Sequence, residues 1–478
     1  MRESKLTEML KGISPDEFKK FGEFLNSPFH NKSKKILQLY NLVAENFEEF
    51  DANKVTKEEI SKNLFPEDIN NDQNARTLIS NFTTLLEEFL TLILESENQN
   101  IPKKINLLKS LRDRNILKTF DMTSKEIIEH SQKEFNRNSE YYYDDLTFKE
   151  IILNYHGEDL DLDLDKSYFD MSKTADYLYF VSKLKIVNTV LSRRVLSGKN
   201  ILSDYWGVAH ILEYLEENID EIQKSHPIIY SEYKILMMTL KPEDLKHYHD
   251  LEKHVFANVE KLNDEELAQV YHSLSNFCVN KIAIGEERYK QNLLKIHNAF
   301  EKAGFYKKNK NIHYSDFMSI IICGLNSEEI KWVKYFFDSY KSNIAHEFKR
   351  DTINLAYALI TFEEKKYKES IEALNKITYK YSYFYLKSKE TLIRAYYEMG
   401  DDESMVSAID ATKHYLKRHK NILSIHYERF MMFLNFATRL MRIDKKDKAE
   451  QKLLIKELDE HRSTISREWL IEKIIELK

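Results

Sequence analysis

From residue 243 to residue 478 this chain contains no proline, and only 9 glycines are spread over its 478 residues. Proline ends helices because it lacks a donor and clashes with the preceding turn, and glycine supplies the positive-φ residues of β-hairpin turns. A chain this poor in both is poorly equipped to reverse strands and well equipped to run long helices. The expectation is an all-α fold. The same scarcity disfavours nucleotide-binding α/β folds, whose backbone approaches phosphate at glycine, and neither G-x-x-x-x-G-K-[ST] nor G-x-G-x-x-G occurs.

Hydrophobic residues make up 42% of the chain and charged residues 31%, enough for a large core under a soluble surface. The net charge of -6 gives no general attraction to nucleic acid or anionic lipid, and only 16 of the 72 basic residues are arginine. Cys278 and Cys323 stand far apart in apolar surroundings, so neither a disulfide framework nor a thiolate metal site is expected. The N-terminus has no apolar signal core and no apolar run of about 20 residues occurs. The expected setting is the cytoplasm, with no membrane contact.

Three regions follow from the pattern. Residues 1-95 read as an N-terminal helical head. Ser14-Pro15-Asp16-Glu17 and Thr56-Lys57-Glu58-Glu59 have the form of capping boxes, and a long helix from Asn70 to Glu95 carries Leu78, Phe82, Leu85, Leu86 and Phe89 on one side. Residues 103-197 form a less regular helical segment, interrupted by the polar stretch 157-166. The loop Ser197-Gly198-Lys199-Asn200 is the next joint, and residues 201-478 read as an array of helical segments. Its stripes include Leu267, Val270, Leu274, Phe277 and Cys278; Ile330, Val333, Phe337 and Tyr340; and Tyr367, Ile371, Leu374 and Ile377. Breaks are expected at Gly304, Gly324, Gly400 and polar clusters.

Between about 352 and 419 the chain matches itself at a shift of 34 residues. Leu359 falls on Ile393, Phe362 on Tyr396, Glu364 on Glu398, Glu369 on Glu403, Ser370 on Ser404 and Lys366 on Gly400. With Tyr396-Tyr397-Glu398-Met399-Gly400-Asp401-Asp402 as the turn between two helices, this stretch resembles the tetratricopeptide (TPR) family. The resemblance implies a right-handed superhelical stack of antiparallel helix pairs, in which the first helix of each pair lines a groove for a protein or peptide partner. In that register Ile353, Ala356, Ile360, Glu363, Lys387, Glu390, Arg394 and Tyr397 face the groove. Ala356 or Glu390 and Ile360 or Arg394 stand where carboxylate-gripping members carry lysine and asparagine, so a mixed apolar and charged groove is expected instead.

No constellation supports an enzyme, a cofactor or a metal. Asp159, Asp161, Asp163 and Asp165 have the spacing of a calcium loop, but Leu164 replaces its turn glycine, and an acidic cap for a helix near Tyr168 fits better. His247 and His249 point to different sides of a helix, and His254 lies two turns from His247. His346-Glu347 lacks the second histidine of a zinc-protease helix, with Arg350 in its place. Tyr141-Tyr142-Tyr143 and Phe430-Met431-Met432-Phe433 read as packing.

Lys103, Lys104, Lys109, Arg112, Arg114 and Lys118 form the densest basic cluster, a candidate patch for an acidic partner or nucleic acid, above a buried set of Ile105, Leu108, Leu111 and Ile116. Val55 to Ile60 followed by Asn74 to Ile79 has the outline of a helix-turn-helix pair. It resembles the winged-helix heads that some bacterial regulators join to a TPR sensor array. Residues 1-95 nevertheless hold 12 basic against 17 acidic residues, which disfavours phosphate binding. The reading is therefore a non-enzymatic protein-protein interaction scaffold with a partner segment in its groove, and a DNA-binding regulator as the alternative.

Overall fold

The computed structural model describes residues 4–45, 47, 56–66, 71–97, 101–156, 163–194, 207–308, 312–345, 348–378, 382–419, 424–444, 446–461 and 464–477. Among the described residues there are 25 α-helices and no strands, and no helix is long and apolar enough to cross a membrane. One isolated parallel bridge, Ile312 with Ile344, joins two loops. The chain divides into two compact units, Met1–Lys133 with Asp144–Met171, and Glu134–Tyr143 with Ser172–Lys478. The division falls inside the segment read from sequence as 103-197.

The first unit begins with α1 (Lys5–Gly12), α2 (Pro15–Asn26), α3 (Lys34–Ala44), α4 (Lys57–Leu64) and α5 (Asn71–Glu97). Each of the first four packs on α5. The cap of α2 is a complete capping box: the Ser14 amide donates to Glu17 at 2.7 Å, and the Glu17 amide donates to the Ser14 hydroxyl at 3.3 Å. At α4 the Glu59 amide donates to Thr56 at 3.3 Å, while the Glu59 carboxylate takes the Asn63 amide at 3.4 Å. Phe21, Leu25, Leu39, Ile60, Phe82 and Leu86 form the fully buried centre. Gly22 lets α2 approach α3, because a Cβ there would strike the Tyr40 ring.

A second cluster in this unit gathers α6 (Ile101–Asp113), α7 (Leu117–Lys133) and Phe148 and Ile151 of α8 (Ser139–His156). Here the sequence reading needs correcting. The basic cluster does not sit on one helix, because Asn115 at φ 54° turns the chain between α6 and α7. Ile105, Leu108 and Leu111 are buried as expected, but Ile116 lies in that turn and is exposed. Helix α9 (Leu164–Arg194) starts earlier than the expected position near Tyr168, with the Lys166 amide donating to Asp163 at 3.1 Å. Asp159 and Asp161 lie outside the described residues, as does the loop 197–200.

The second unit continues with α10 (Val208–Glu217), α11 (Ile219–Ser225), α12 (Pro227–Leu240), α13 (Leu245–Asn258), α14 (Asp264–Ala283), α15 (Tyr289–Lys302), α16 (Phe305–Lys308), α17 (Tyr314–Asn326), α18 (Ile330–Tyr340), α19 (Lys349–Glu363) and α20 (Tyr367–Leu374). It ends with α21 (Ser382–Met399), α22 (Asp402–Arg418), α23 (Ser424–Arg442), α24 (Lys448–Glu460) and α25 (Arg467–Glu476). The segment Glu134–Tyr143 is stitched into this unit. Arg137 donates to the Ser225 carbonyl at 2.8 Å, Asn136 donates to the Lys261 carbonyl at 2.8 Å, and the Tyr142 hydroxyl meets His226 Nδ1 at 2.6 Å.

Helices α17, α19, α21, α23 and α25 each pack on the next of that series, while α18, α20 and α22 each pack on the two helices flanking them in sequence. The expected stripes are largely in the core: Val270, Leu274, Cys278, Val333 and Leu374 are buried. One turn recurs between helices. At Gly285, Glu328, Lys365 and Gly400 a left-handed residue is followed by an amide that donates five residues back, as in Lys366 to Thr361 at 2.9 Å and Asp401 to Tyr396 at 3.0 Å. This closure satisfies helix-end carbonyls. Gly324 is not a break. It lies inside α17, where a Cβ would collide with Val333, and the chain turns at Glu328 instead.

The turn also shifts the repeat register. The left-handed residues Lys365 and Gly400 are separated by one residue more than the 34 of the sequence match. In this longer register buried Ser370 corresponds to buried Met405, and buried Leu374 to buried Ile409, whereas the 34-residue match pairs Ser370 with half-buried Ser404. Identical glutamates and serines aligned the sequence one residue out of step with the packing.

Candidate protein-binding face

The residues read from sequence as a groove divide into two groups. Ala356 and Ile360 of α19 are in the core at 0% and 4% exposure, and Ile353 packs against them from a half-buried position. These three hold α19 to its neighbours. Glu363, Lys387, Glu390, Arg394 and Tyr397 lie together on a charged and aromatic face built by the ends of α19 and α21, a contact that the register implied.

Glu390 is the centre of that face. It is 1% exposed and accepts from Arg394 Nη1 at 3.0 Å, from Lys387 Nζ at 2.8 Å, and from the Ser466 hydroxyl. Burial alone would raise its pKa, but the two cations and the hydroxyl outweigh it and hold the carboxyl at about 2. A charge buried this deeply is tolerable only because each oxygen is paired. Reversing Lys387 or Arg394 would set a second carboxylate against Glu390, so these two residues hold the face together before they can recognise anything.

Arg394 also lies over two aromatic rings, 4.3 Å from the Phe362 centroid and 5.5 Å from that of Trp469, and reaches Glu363 at 3.6 Å. Guanidinium stacks on aromatic faces through its planar charge. Tyr397 meets Trp469 edge-on at 5.4 Å. The Trp469 indole donates to Glu398 at 2.8 Å, and Lys473 reaches the same carboxylate at 3.1 Å. Burial would lower the Lys473 pKa, but Glu476 and Glu398 raise it well above that of a free lysine.

Sequence reasoning missed the other half of this face. Trp469 and Lys473 come from α25 and Ser466 from the residue before it; α25 also reaches α15, where Lys290 Nζ lies 3.1 Å from both oxygens of Glu468. An adjoining side of α25, Leu470 and Ile474, is buried with Leu434, Leu454 and Leu458 of α23 and α24. No repeat in the sequence pairs residues 178 positions apart, so only a lone tryptophan followed four residues later by lysine marked the segment.

The remaining candidates carry less. His247 and His254 are buried singly, His247 beside Asp244 at 3.5 Å and His254 against the Tyr230 ring at 4.9 Å. No group of three or more metal-ligating side chains occurs among the described residues. In the first unit Lys104 pairs with Glu126 at 2.8 Å, Arg112 with Asp113 at 3.1 Å, and Arg114 donates to Ser110 at 2.7 Å. Lys103, Lys109 and Lys118 complete that cluster on α6 and α7. Arg76, the only cation between Asn74 and Ile79 in the helix-turn-helix outline, is bound to Asp72 at 3.2 Å. A scan against family models, a search of curated proteins and a search of solved structures each found no match to this chain.

Proposed function

We propose that the second unit is a TPR-like solenoid serving as a non-enzymatic scaffold, and that the face shared by α19, α21 and α15 receives a helical segment of a protein partner. The observation carrying this reading is the order of packing from α17 to α23. First helices contact first helices, second helices sit between them, and the same turn closes the pairs at Glu328, Lys365 and Gly400. In such an array each repeat rests on its neighbours, and the stacked first helices offer one continuous surface. That surface here combines stacked aromatic and arginine groups with paired charges, the chemistry enriched at binding hot spots.

The alternative, a DNA-binding regulator, draws support from the outline of α4 and α5 only. Asp72 takes both Lys57 at 2.6 Å and Arg76 at 3.2 Å, which spends the cations that phosphate would need.

The scaffold reading is tested with the full chain. A partner is captured, purified, and titrated against the wild type and against Glu363→Lys, whose side chain is 43% exposed. A loss of about tenfold or more in affinity with folding retained is expected. Unchanged binding by the folded variant would overturn the placement of the partner on this face.

A further inference from the structure

The face on α19, α21 and α15 is already occupied by a helix of this chain, and the contacts describe the occupant that it accepts. Three groups of α25 and the Ser466 that caps it meet the face. The Ser466 hydroxyl donates to buried Glu390, the Trp469 indole donates to Glu398 at 2.8 Å, Lys473 joins it there at 3.1 Å, and Glu468 bridges to Lys290 at 3.1 Å. These contacts span 76, 71 and 178 positions for the first, second and last. Without α25, Glu398 would lose its partners on that side, and Arg394 one of its two aromatic faces. The face is therefore complementary to a helix of defined chemistry.

We propose that α25 is a resident ligand of this face, and that a protein partner binds by presenting a helix of the same pattern in its place. The pattern is an indole, a cation four residues after it, a carboxylate immediately before it and a hydroxyl three residues before it. Apolar residues at the positions of Leu470 and Ile474 replace those buried on α23 and α24. An amphipathic helix read at such spacings is a recurrent mode of recognition. The requirement for both faces makes the exchange one of like for like. A partner lacking the apolar pair would leave the α23–α24 core open, and one lacking the indole and cation would take from Glu398 its partners on that side. Ser466, which precedes α25 at φ 52°, holds a left-handed conformation that costs a residue with a side chain, so the docked state is held by its contacts rather than by local preference.

This inference rests on the scaffold reading, and the experiment separates the two. A fluorescein-labelled peptide of residues 464–478 is titrated by anisotropy against three full-length chains: wild type, Trp469→Ala and Glu468→Lys. Trp469→Ala loosens the resident helix through its anchor. Glu468→Lys, at a side chain 68% exposed, sets like charges against Lys290 and spares the core, so it serves if Trp469→Ala fails to fold. Both are expected to bind the peptide about tenfold or more tighter than wild type, since the resident helix competes less well. The same peptide carrying Trp469→Ala is expected not to bind. Equal binding to wild type and to both folded variants, or none to any of them, overturns the inference. A partner that loses affinity for Glu363→Lys yet is not displaced by the peptide overturns the inference while leaving the scaffold reading in place.

Discussion

Trp469 and Glu398 are joined by an indole-to-carboxylate hydrogen bond of 2.8 Å across 71 positions of sequence, and Lys473 completes the group at 3.1 Å. Glu398→Ala would leave the 6% exposed tryptophan without its acceptor and take from Lys473 one of three carboxylates, Glu472 at 3.3 Å and Glu476 at 2.9 Å remaining. Leaving a buried donor unsatisfied costs about 1–3 kcal/mol, and the lysine keeps its charge partners, so a loss of about 2 kcal/mol is expected. Glu398→Gln keeps an acceptor for the indole and should lose about 1 kcal/mol. Urea denaturation followed by tryptophan emission measures both, and equal stability of Glu398→Ala and wild type would show that the group contributes nothing.

Lys365 holds φ 61° at the turn between α19 and α20, where Gly400 holds φ 69° between α21 and α22. A side chain in that region costs about 1 kcal/mol, and glycine relieves it at the price of a more flexible unfolded chain. Lys365→Gly should therefore stabilise by about 0.5 kcal/mol, whereas Gly400→Ala should destabilise by about 1 kcal/mol. The opposite signs at two equivalent turns are the point to check by thermal melts under one set of conditions.

Glu232 of α12 is 1% exposed and meets Asn188 Nδ2 at 2.7 Å, while Asn188 Oδ1 has no hydrogen-bond partner. Burial pushes the Glu232 carboxyl up to about 7, against about 4.5 unfolded. Between those values the native state holds a proton that the unfolded state has released, so this group makes stability fall as pH rises from 4.5 to 7. Glu232→Gln removes that slope and keeps an oxygen to accept from Asn188 Nδ2. A gain of about 1–3 kcal/mol at pH 8 is expected, shrinking toward pH 4.5. A variant less stable than wild type at pH 8 would contradict this.

His297 works in the other direction. It is fully buried between the Tyr271 and Tyr306 hydroxyls at 3.1 and 3.2 Å, and burial lowers its pKa to about 3 from 6.5. Below pH 6.5 the unfolded state gains a proton that the native state refuses, so stability falls as pH drops toward 3, by about 1.4 kcal/mol per pH unit. His297→Phe should be less stable at neutral pH, because the hydrogen bonding that Tyr271 and Tyr306 share at Nδ1 is lost, yet lose less on acidification. Between pH 4.5 and 6.5 Glu232 and His297 oppose each other. Each single variant should expose the other's slope in a pH series of denaturation curves.

Much of the fold was legible because it rests on local signals. Ser14 with Glu17, Pro15 at the first turn, and the buried stripe from Leu267 to Cys278 are spaced by helix geometry alone. The turns were less legible because three of them use Asn115, Glu328 and Lys365 where glycine is the usual mark, so the break after α17 was placed at Gly324 and the repeat was read one residue short. In α12, which is apolar on nearly every side, the enclosure of Glu232 and Lys234 was not legible, because it depends on Asn188 of α9 at 2.7 Å and Asp250 of α13 at 2.7 Å. At the face, residues on α19 and α21 were within reach of the repeat pattern. Trp469, Lys473 and Lys290 were not, since their meeting depends on how successive helices stack.

The most direct measurement is native-state hydrogen exchange on the full chain, comparing amides of Leu470 to Ile475 in α25 with those of Leu392 to Ala395 in α21. If α25 is a resident ligand, its amides exchange through an opening that leaves α21 protected. In Glu398→Gln the α25 amides should then exchange faster, with α21 unchanged. Equal protection of both helices in wild type, lost together in the variant, would show that α25 leaves the face only when the whole array unfolds, and would contradict the account.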